Sequence, residues 1–413
     1  MGKALLLYSE PGGIASGNEI PVLGGGVSNA TEANSQITFP VAGTFSMLGT
    51  FNLGGSGTNT VQFRVNGANG NLVTAASGTG LKEDTSNSDT ISANDEVNIA
   101  CTDTGSNPTA SHYRLVWEAT SDHCTMHAAR RPAGTACDAT NARYGSFAGS
   151  ILQDWNATEA QTQLKARCAS TASHFQISAS VNASDETRAF TFRLNGADGN
   201  GTVSFGAGAT GIAIDTSNTD TLADGDLFNA YMAPLQATDD ITLTGCCILV
   251  TNTTTDESDV WHGSSNTGGS FTYNSPTTTY YALGGSGDGT TTAANRAVQT
   301  GFAGTARNLR VYASNNTLTS DATLKLKNLT DTTEISLTLT GSGGAGWYEN
   351  TSDTLNFDAT DDLVLEFDGG GAASPFSWYC IGITLSDGVV GDTTIGGYGS
   401  YYRLLQGMST PNA

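Results

Sequence analysis

Phe63-Arg-Val-Asn-Gly-Ala-Asn-Gly-Asn71 returns later in the chain as Phe192-Arg-Leu-Asn-Gly-Ala-Asp-Gly-Asn200. In both, alternating apolar residues run into Asn-Gly, a dipeptide whose two residues both accept positive φ, so each stretch reads as a β-hairpin. Downstream the match continues. Asp84-Thr-Ser-Asn-Ser-Asp-Thr-Ile91 parallels Asp215-Thr-Ser-Asn-Thr-Asp-Thr-Leu222, and a further Asp follows each at the same spacing, Asp95 and Asp226. Agreement over so long a stretch is the mark of an internal duplication.

Upstream a third copy emerges. Ala30-Thr-Glu-Ala-Asn-Ser-Gln36 matches Ala157-Thr-Glu-Ala-Gln-Thr-Gln163 and, more loosely, Thr291-Thr-Ala-Ala-Asn-Arg-Ala297. The third copy runs through Leu324-Lys-Leu-Lys-Asn328 and Glu349-Asn-Thr-Ser-Asp-Thr-Leu355, without the Asn-Gly hairpin. All three end in an apolar run: Tyr113–Trp117, Cys246–Val250 and Trp378–Leu385. A run apolar throughout predicts a central strand covered on both faces. Elsewhere the period is two, as in Ile335, Leu337 and Leu339 alternating with Ser336, Thr338 and Thr340. The expected fold is therefore all-β: three tandem antiparallel β-sandwich or jelly-roll domains. The boundaries follow as an N-terminal arm (1–19), repeat 1 (20–120), a joint (121–142), repeat 2 (143–253), a joint (254–279), repeat 3 (280–387) and a C-terminal tail (388–413). The Thr-Glu-Ala segments are expected to form a single helical turn and nothing longer.

Composition agrees. The 413 residues include 51 Gly and only 14% charged residues. The five lysines are Lys3, Lys82, Lys165, Lys325 and Lys327. Thr, Ser and Asn, which favour turns and strands over helix interiors, take the place of Lys and Glu. The net charge of −22 and scattered basic residues argue against nucleic acid and against an acidic membrane surface as partners. No apolar run is long enough to span a bilayer, and Ala4–Tyr8 is too short for a secretory signal, so it reads as a first strand or docking arm.

Candidate chemistry is sparse. The loops opened by Asp84 and Asp215 offer oxygens to Ca²⁺, but Asx-turn punctuation explains the same residues. His123, Cys124, His127 and Cys137 form the only local His/Cys cluster; they lack the paired spacing of a zinc site, a Cys124–Cys137 bridge clipping the joint is an alternative, and an ordinary exposed loop is the default. Cys101, Cys246, Cys247 and Cys380 lie in strand-like runs and read as small buried hydrophobes. The five histidines are spread over different units and joints, and no nucleophile elbow, P-loop or dinucleotide fingerprint occurs. The chain is thus expected to have no catalytic, cofactor or metal residues and not to be an enzyme. Trp261, Tyr273, Tyr401 and Tyr402 are candidate docking anchors in the joints and tail.

The run Phe192–Asn200, the Gly-rich strand after it, Asp215–Leu222 and Gly225-Asp226-Leu227 resemble the repeated TNF/C1q-like jelly-roll modules of tailed-bacteriophage virion structural proteins. The resemblance implies a protein exposed on the virion surface, a capsid decoration, cement or head fibre, with the major capsid protein or copies of itself as partners. It carries no catalytic residues. Tail-fibre binding to a host glycan and a bacterial extracellular filament subunit are the alternative readings. Tandem sandwiches suit either a rigid extended object or a single chain that imitates a trimer.

Overall fold

A computed structural model describes residues 3–9, 17–25, 30–104, 106–120, 123–137, 142–148, 157–234, 240–252, 257–263, 271–273, 277–286, 290–369 and 375–387. Among them there is no α-helix, only strands and three single-turn 3₁₀ segments, Glu32–Asn34, Glu159–Gln161 and Ala293–Asn295. These are the Thr-Glu-Ala segments and their third-copy counterpart. The strands form six sheets, two per unit, making three sandwiches.

Each unit has one sheet that faces its neighbours, here called the axial sheet, and one outer sheet. In unit one, the axial sheet places the closing strand Ser106–Ala119 between the opening strand Lys3–Ser9 and the long strand Gly43–Ser56. Unit two repeats this with Ile241–Asn252 between His123–Cys137 and Ser170–Asn182. Unit three repeats it with Phe376–Ser386 between Glu257–Gly263 and Gly304–Asn316. The apolar closing runs are central strands, as their composition predicts.

The division at the joints is different from that expected. Segments 121–142 and 254–279 contain the opening strands of the units that follow, paired to their closing strands, with a register shift between Arg130 and Thr135 in the first. The arm 1–19 likewise holds the opening strand of unit one, with Lys3 opposite Glu118. The first of these strands matches the reading of Ala4–Tyr8 as a strand; the other two share no motif with it or with each other, each facing different neighbours.

The hairpins form as read. Asn66 and Gly67 have φ of 50° and 78°, and Asn195 and Gly196 have 51° and 79°. Each Asn side chain clips the start of the strand that pairs with the hairpin's first strand: Asn66 Nδ2 donates to Asp95 Oδ1 and Asn195 Nδ2 to Asp226 Oδ1, both at 2.7 Å. In unit three Asn328 Nδ2 donates to Asp361 Oδ2, also at 2.7 Å. The clip survives where the Asn-Gly turn does not.

Why the closing strands carry apolar residues on both faces becomes clear from what each face touches. Tyr113, Leu115 and Trp117 pack in the core of unit one with Phe39, Phe45 and Phe63, while Val116 points into the core of unit three. On the opening strand, Ala4 and Leu6 belong to unit one and Leu5 and Leu7 to unit three. Cys124, Met126, Ala128, Cys247 and Leu249 of unit two join unit one's core, and Trp261 and Cys380 of unit three join unit two's. Fully burying a large apolar side chain contributes about 1.5–3 kcal/mol, so separating the units would expose a sizeable share of what holds each together. Beads on an extended string are ruled out by this packing.

Candidate functional site: three seams about one axis

The three opening strands touch one another, so the sandwiches surround a common pseudo-three-fold axis. Unit two presents its axial sheet to unit one, unit three to unit two, and unit one to unit three. A head-to-tail contact that closes after three steps is a ring. At its closure, Lys3 N donates to Asp387 Oδ2 at 3.1 Å, bringing the first and last described strands together.

One hydrogen bond recurs at every seam. It ends on the backbone carbonyl of the residue four beyond the 3₁₀ turn: Thr38, Lys165 or Gln299. The donor comes from the next unit's axial sheet. Gln176 Nε2 donates to Thr38 O at 2.7 Å, and Arg310 Nε donates to Lys165 O at 3.1 Å. Position 176 of unit two corresponds to 310 of unit three and to Gly49 of unit one. Gly49 has no side chain to give. Arg114, opposite it on the closing strand, fills the gap and donates to Gln299 O.

The room for these side chains is made by glycine. A Cβ on Gly49 would lie 2.5 Å from Arg114 Nε, and one on Gly382 would lie 2.5 Å from the Trp261 ring on which Arg310 stacks. Arg310 Cζ sits 4.3 Å from the Trp261 ring centroid. A third arginine, Arg130, lies against Gly245 and donates to Asn34 O at 2.9 Å and Gln36 O at 2.7 Å across the seam between units one and two. Arg114, Arg130 and Arg310 are each 0% exposed, and burying a charge is costly unless pairs or hydrogen bonds compensate it. Arg114 pairs with Glu83 and Arg310 with Asp259 at 2.8 Å. Burial lowers the pKa of Arg114 and Arg130, and Glu83 works against it at Arg114.

Further ion pairs lie across the seam of units two and three. Lys165 meets Glu349 at 2.6 Å, Arg167 also pairs with Glu349, and the Arg167 amide donates to Asp259 Oδ2 at 3.2 Å.

The residues singled out in the sequence fall elsewhere. Asp84 accepts from the amides of Val73, Ser86 and Asn87 at 3.0–3.1 Å, from Ser86 Oγ at 3.0 Å and from Asn87 Nδ2 at 2.9 Å. Asp215 repeats the set through Thr202, Ser217 and Asn218. Burial raises the Asp84 pKa, but these hydrogen bonds outweigh it and hold the carboxyl at about 2. Both carboxylates are spent on the turn, leaving little for a cation. In unit three Asn350 takes the role, accepting from Ser352 and Asp353 and donating to Asp353 Oδ2 at 2.7 Å. The acid and the amide have changed places.

His123, Cys124, His127 and Cys137 all lie on one strand. Cys124 is opposite Thr251 and Cys137 opposite Ile241, more than about 30 Å apart at strand spacing, so they form no bridge. Every cysteine is a buried thiol. No group of three His, Cys, Asp or Glu able to hold a metal occurs among the described residues. Trp261 is buried under Arg310 and is no surface anchor. The Tyr273 side chain and the tail 388–413 with Tyr401 and Tyr402 lie outside the described residues.

No protein-family model and no curated protein sequence matches the chain. Among solved structures, it is similar to one described as the triple jelly roll fold and turret assembly in an archaeal virus. Identity there is 13%, with 94% of this chain and 90% of that chain covered, at a TM-score of 0.19. A second, the atomic structure of Sulfolobus turreted icosahedral virus, is 11% identical over 93% of this chain and 91% of that chain, at a TM-score of 0.17. Likenesses this faint carry no argument. The assignment of three sandwiches rests on strand pairing alone.

The seam arginines gave no signal in the sequence, because each stands on a different strand: closing in unit one, opening in unit two, long in unit three. An alignment of copies puts Arg310 beside Gln176 and Gly49, which looks like drift.

Proposed function

We propose that the chain is a non-enzymatic structural protein of a virus particle, one copy standing at a three-fold position on its outside as a capsid decoration or cement. The observation that carries this reading is the closed ring, in which the same inter-unit hydrogen bond is made three times. A single chain with three-fold geometry matches a three-fold site without needing three copies. Two further features support it. Among the described residues Val181 is the only exposed large hydrophobic, at 46%, so docking through this surface falls to polar contacts. The net charge of −22 keeps copies apart until a specific contact holds them.

The test is a micrograph of the source particle with this protein's stoichiometry. One copy at each three-fold position of the head supports the proposal. A handful of copies at the tail, or filaments from uninfected cells, would overturn it in favour of a receptor-binding fibre or a cellular filament.

A further inference from the structure

The seam between units two and three borders two small cavities, the larger of which also reaches unit one. A cavity of about 30 Å³ lies where the three opening strands meet, its walls including Leu5, Leu7, Thr125, His127, Asp259 and Trp261. A second, of about 10 Å³, adjoins it and shares Thr125, His127 and Asp259. On this measure a water needs roughly 10–15 Å³, so the first has room for about two and the second for about one.

The walls are chemically unfinished. The Trp261 indole N–H is buried with no hydrogen-bond partner. Among the described residues, the Thr125 hydroxyl and the His127 ring nitrogens also make no hydrogen bond to protein, though Thr125 and His127 are only 5% and 6% exposed. Asp259 accepts from Thr384 Oγ1 at 2.7 Å and from the Arg167 amide at 3.2 Å and pairs with Arg310, which leaves a lone pair on Oδ2 for a further donor. Buried polar groups in native proteins are almost always bonded, to protein or to ordered water.

We infer that these cavities are a water-binding site, in which ordered molecules join Trp261 Nε1, the His127 ring, the Thr125 hydroxyl and Asp259, and that this wet seam is where acid first opens the ring. The geometry places the one imidazole of this seam's cavities on the opening strand of unit two, its ring centre 6.2 Å from that of Phe228. Facing it are Asp259 and Glu257 from the opening strand of unit three, Arg310 from its long strand, and Cys168 from unit two. Burial holds the His127 pKa down to about 4, with Asp259 pulling it up and Arg310 pushing it down. A histidine depressed in the folded state contributes stability above its ordinary pKa and loses it as pH falls through the folded value. The window is therefore from about 6.5 down to about 4, and the seam's closing equilibrium falls on the order of a hundredfold across it. Asp84, held at about 2, keeps its turn intact below that window.

Hydrogen exchange on the full chain, corrected for intrinsic rates and followed from about pH 7 to about pH 4, reads both parts of the inference. Strands 123–130 and 257–263 are expected to lose protection first, while 188–205 keeps it. His127→Gln is expected to move that loss down by about one pH unit or more. Simultaneous loss everywhere, or an unchanged midpoint in the variant, would overturn the acid-sensitive seam; should the variant not fold, the order in the wild-type chain decides. A crystal structure at high resolution tests the water directly. Solvent within hydrogen-bond reach of Trp261 Nε1 is expected, and a dry cavity would contradict it.

Discussion

Units one and three deliver the same bond to their neighbours by opposite routes. In unit three the arginine is on the long strand, Arg310, and the glycine on the closing strand, Gly382; in unit one the glycine is on the long strand, Gly49, and the arginine on the closing strand, Arg114. The two residues face each other in both sheets, so one row holds one long side chain and one empty place. Which strand supplies which is immaterial to the carbonyl that receives the bond. The lesson is that these seams preserve a position in space and not a residue in an alignment.

That comparison is open to breakage by mutation. The largest effect is expected from Arg310→Met, which strands the buried Asp259 carboxylate without its partner. A loss of about 3–5 kcal/mol is expected in urea unfolding, and most of it should return when Asp259→Leu is added. If the single variant costs nothing, the ion pair is not holding the seam. Next comes Gly49→Ala, whose new methyl would press on Arg114. We expect up to about 3 kcal/mol of destabilisation. The exchange Gly49→Arg with Arg114→Gly, which imposes the unit-three arrangement on unit one, should be less harmful than the sum of its parts. A coupling of about 1–2 kcal/mol or more in that direction would sharpen the comparison, and strict additivity would undo it.

Smaller effects belong to the turns. Asp84 has a folded pKa below its unfolded one, so its contribution is complete above about pH 4 and lost as pH falls towards about 2. Asp84→Asn should therefore remove about 2 kcal/mol at neutral pH and flatten the acid limb of the stability profile. Asn195→Ala, which loses the clip to Asp226 and places alanine at positive φ, should cost about 1 kcal/mol. A comparable loss on Asn328→Ala would show that the clip, not the Asn-Gly turn, is what unit three kept.

Much of the fold was legible in the chain. Phe192, Leu194 and the Asn195-Gly196 turn declared a hairpin through period and turn chemistry, both local properties. The closing runs declared central strands because residues on both faces are apolar. What lies across the seams was not legible. Val116 and Leu115 differ in which core they enter, but both are simply apolar in sequence. The opening strands were hidden inside supposed joints because His123–Cys137 and Glu257–Gly263 answer to different neighbours and so share nothing. The candidate sites failed for a related reason: Cys124 and Cys137 are near in sequence, but a strand carries them apart.

The central claim is the closed ring, and small-angle scattering of the full chain tests it most directly. A compact chain of this length has a radius of gyration of about 22 Å, and that is the result expected. A value above roughly 30 Å, as three sandwiches strung end to end would give, would contradict the ring and every seam within it.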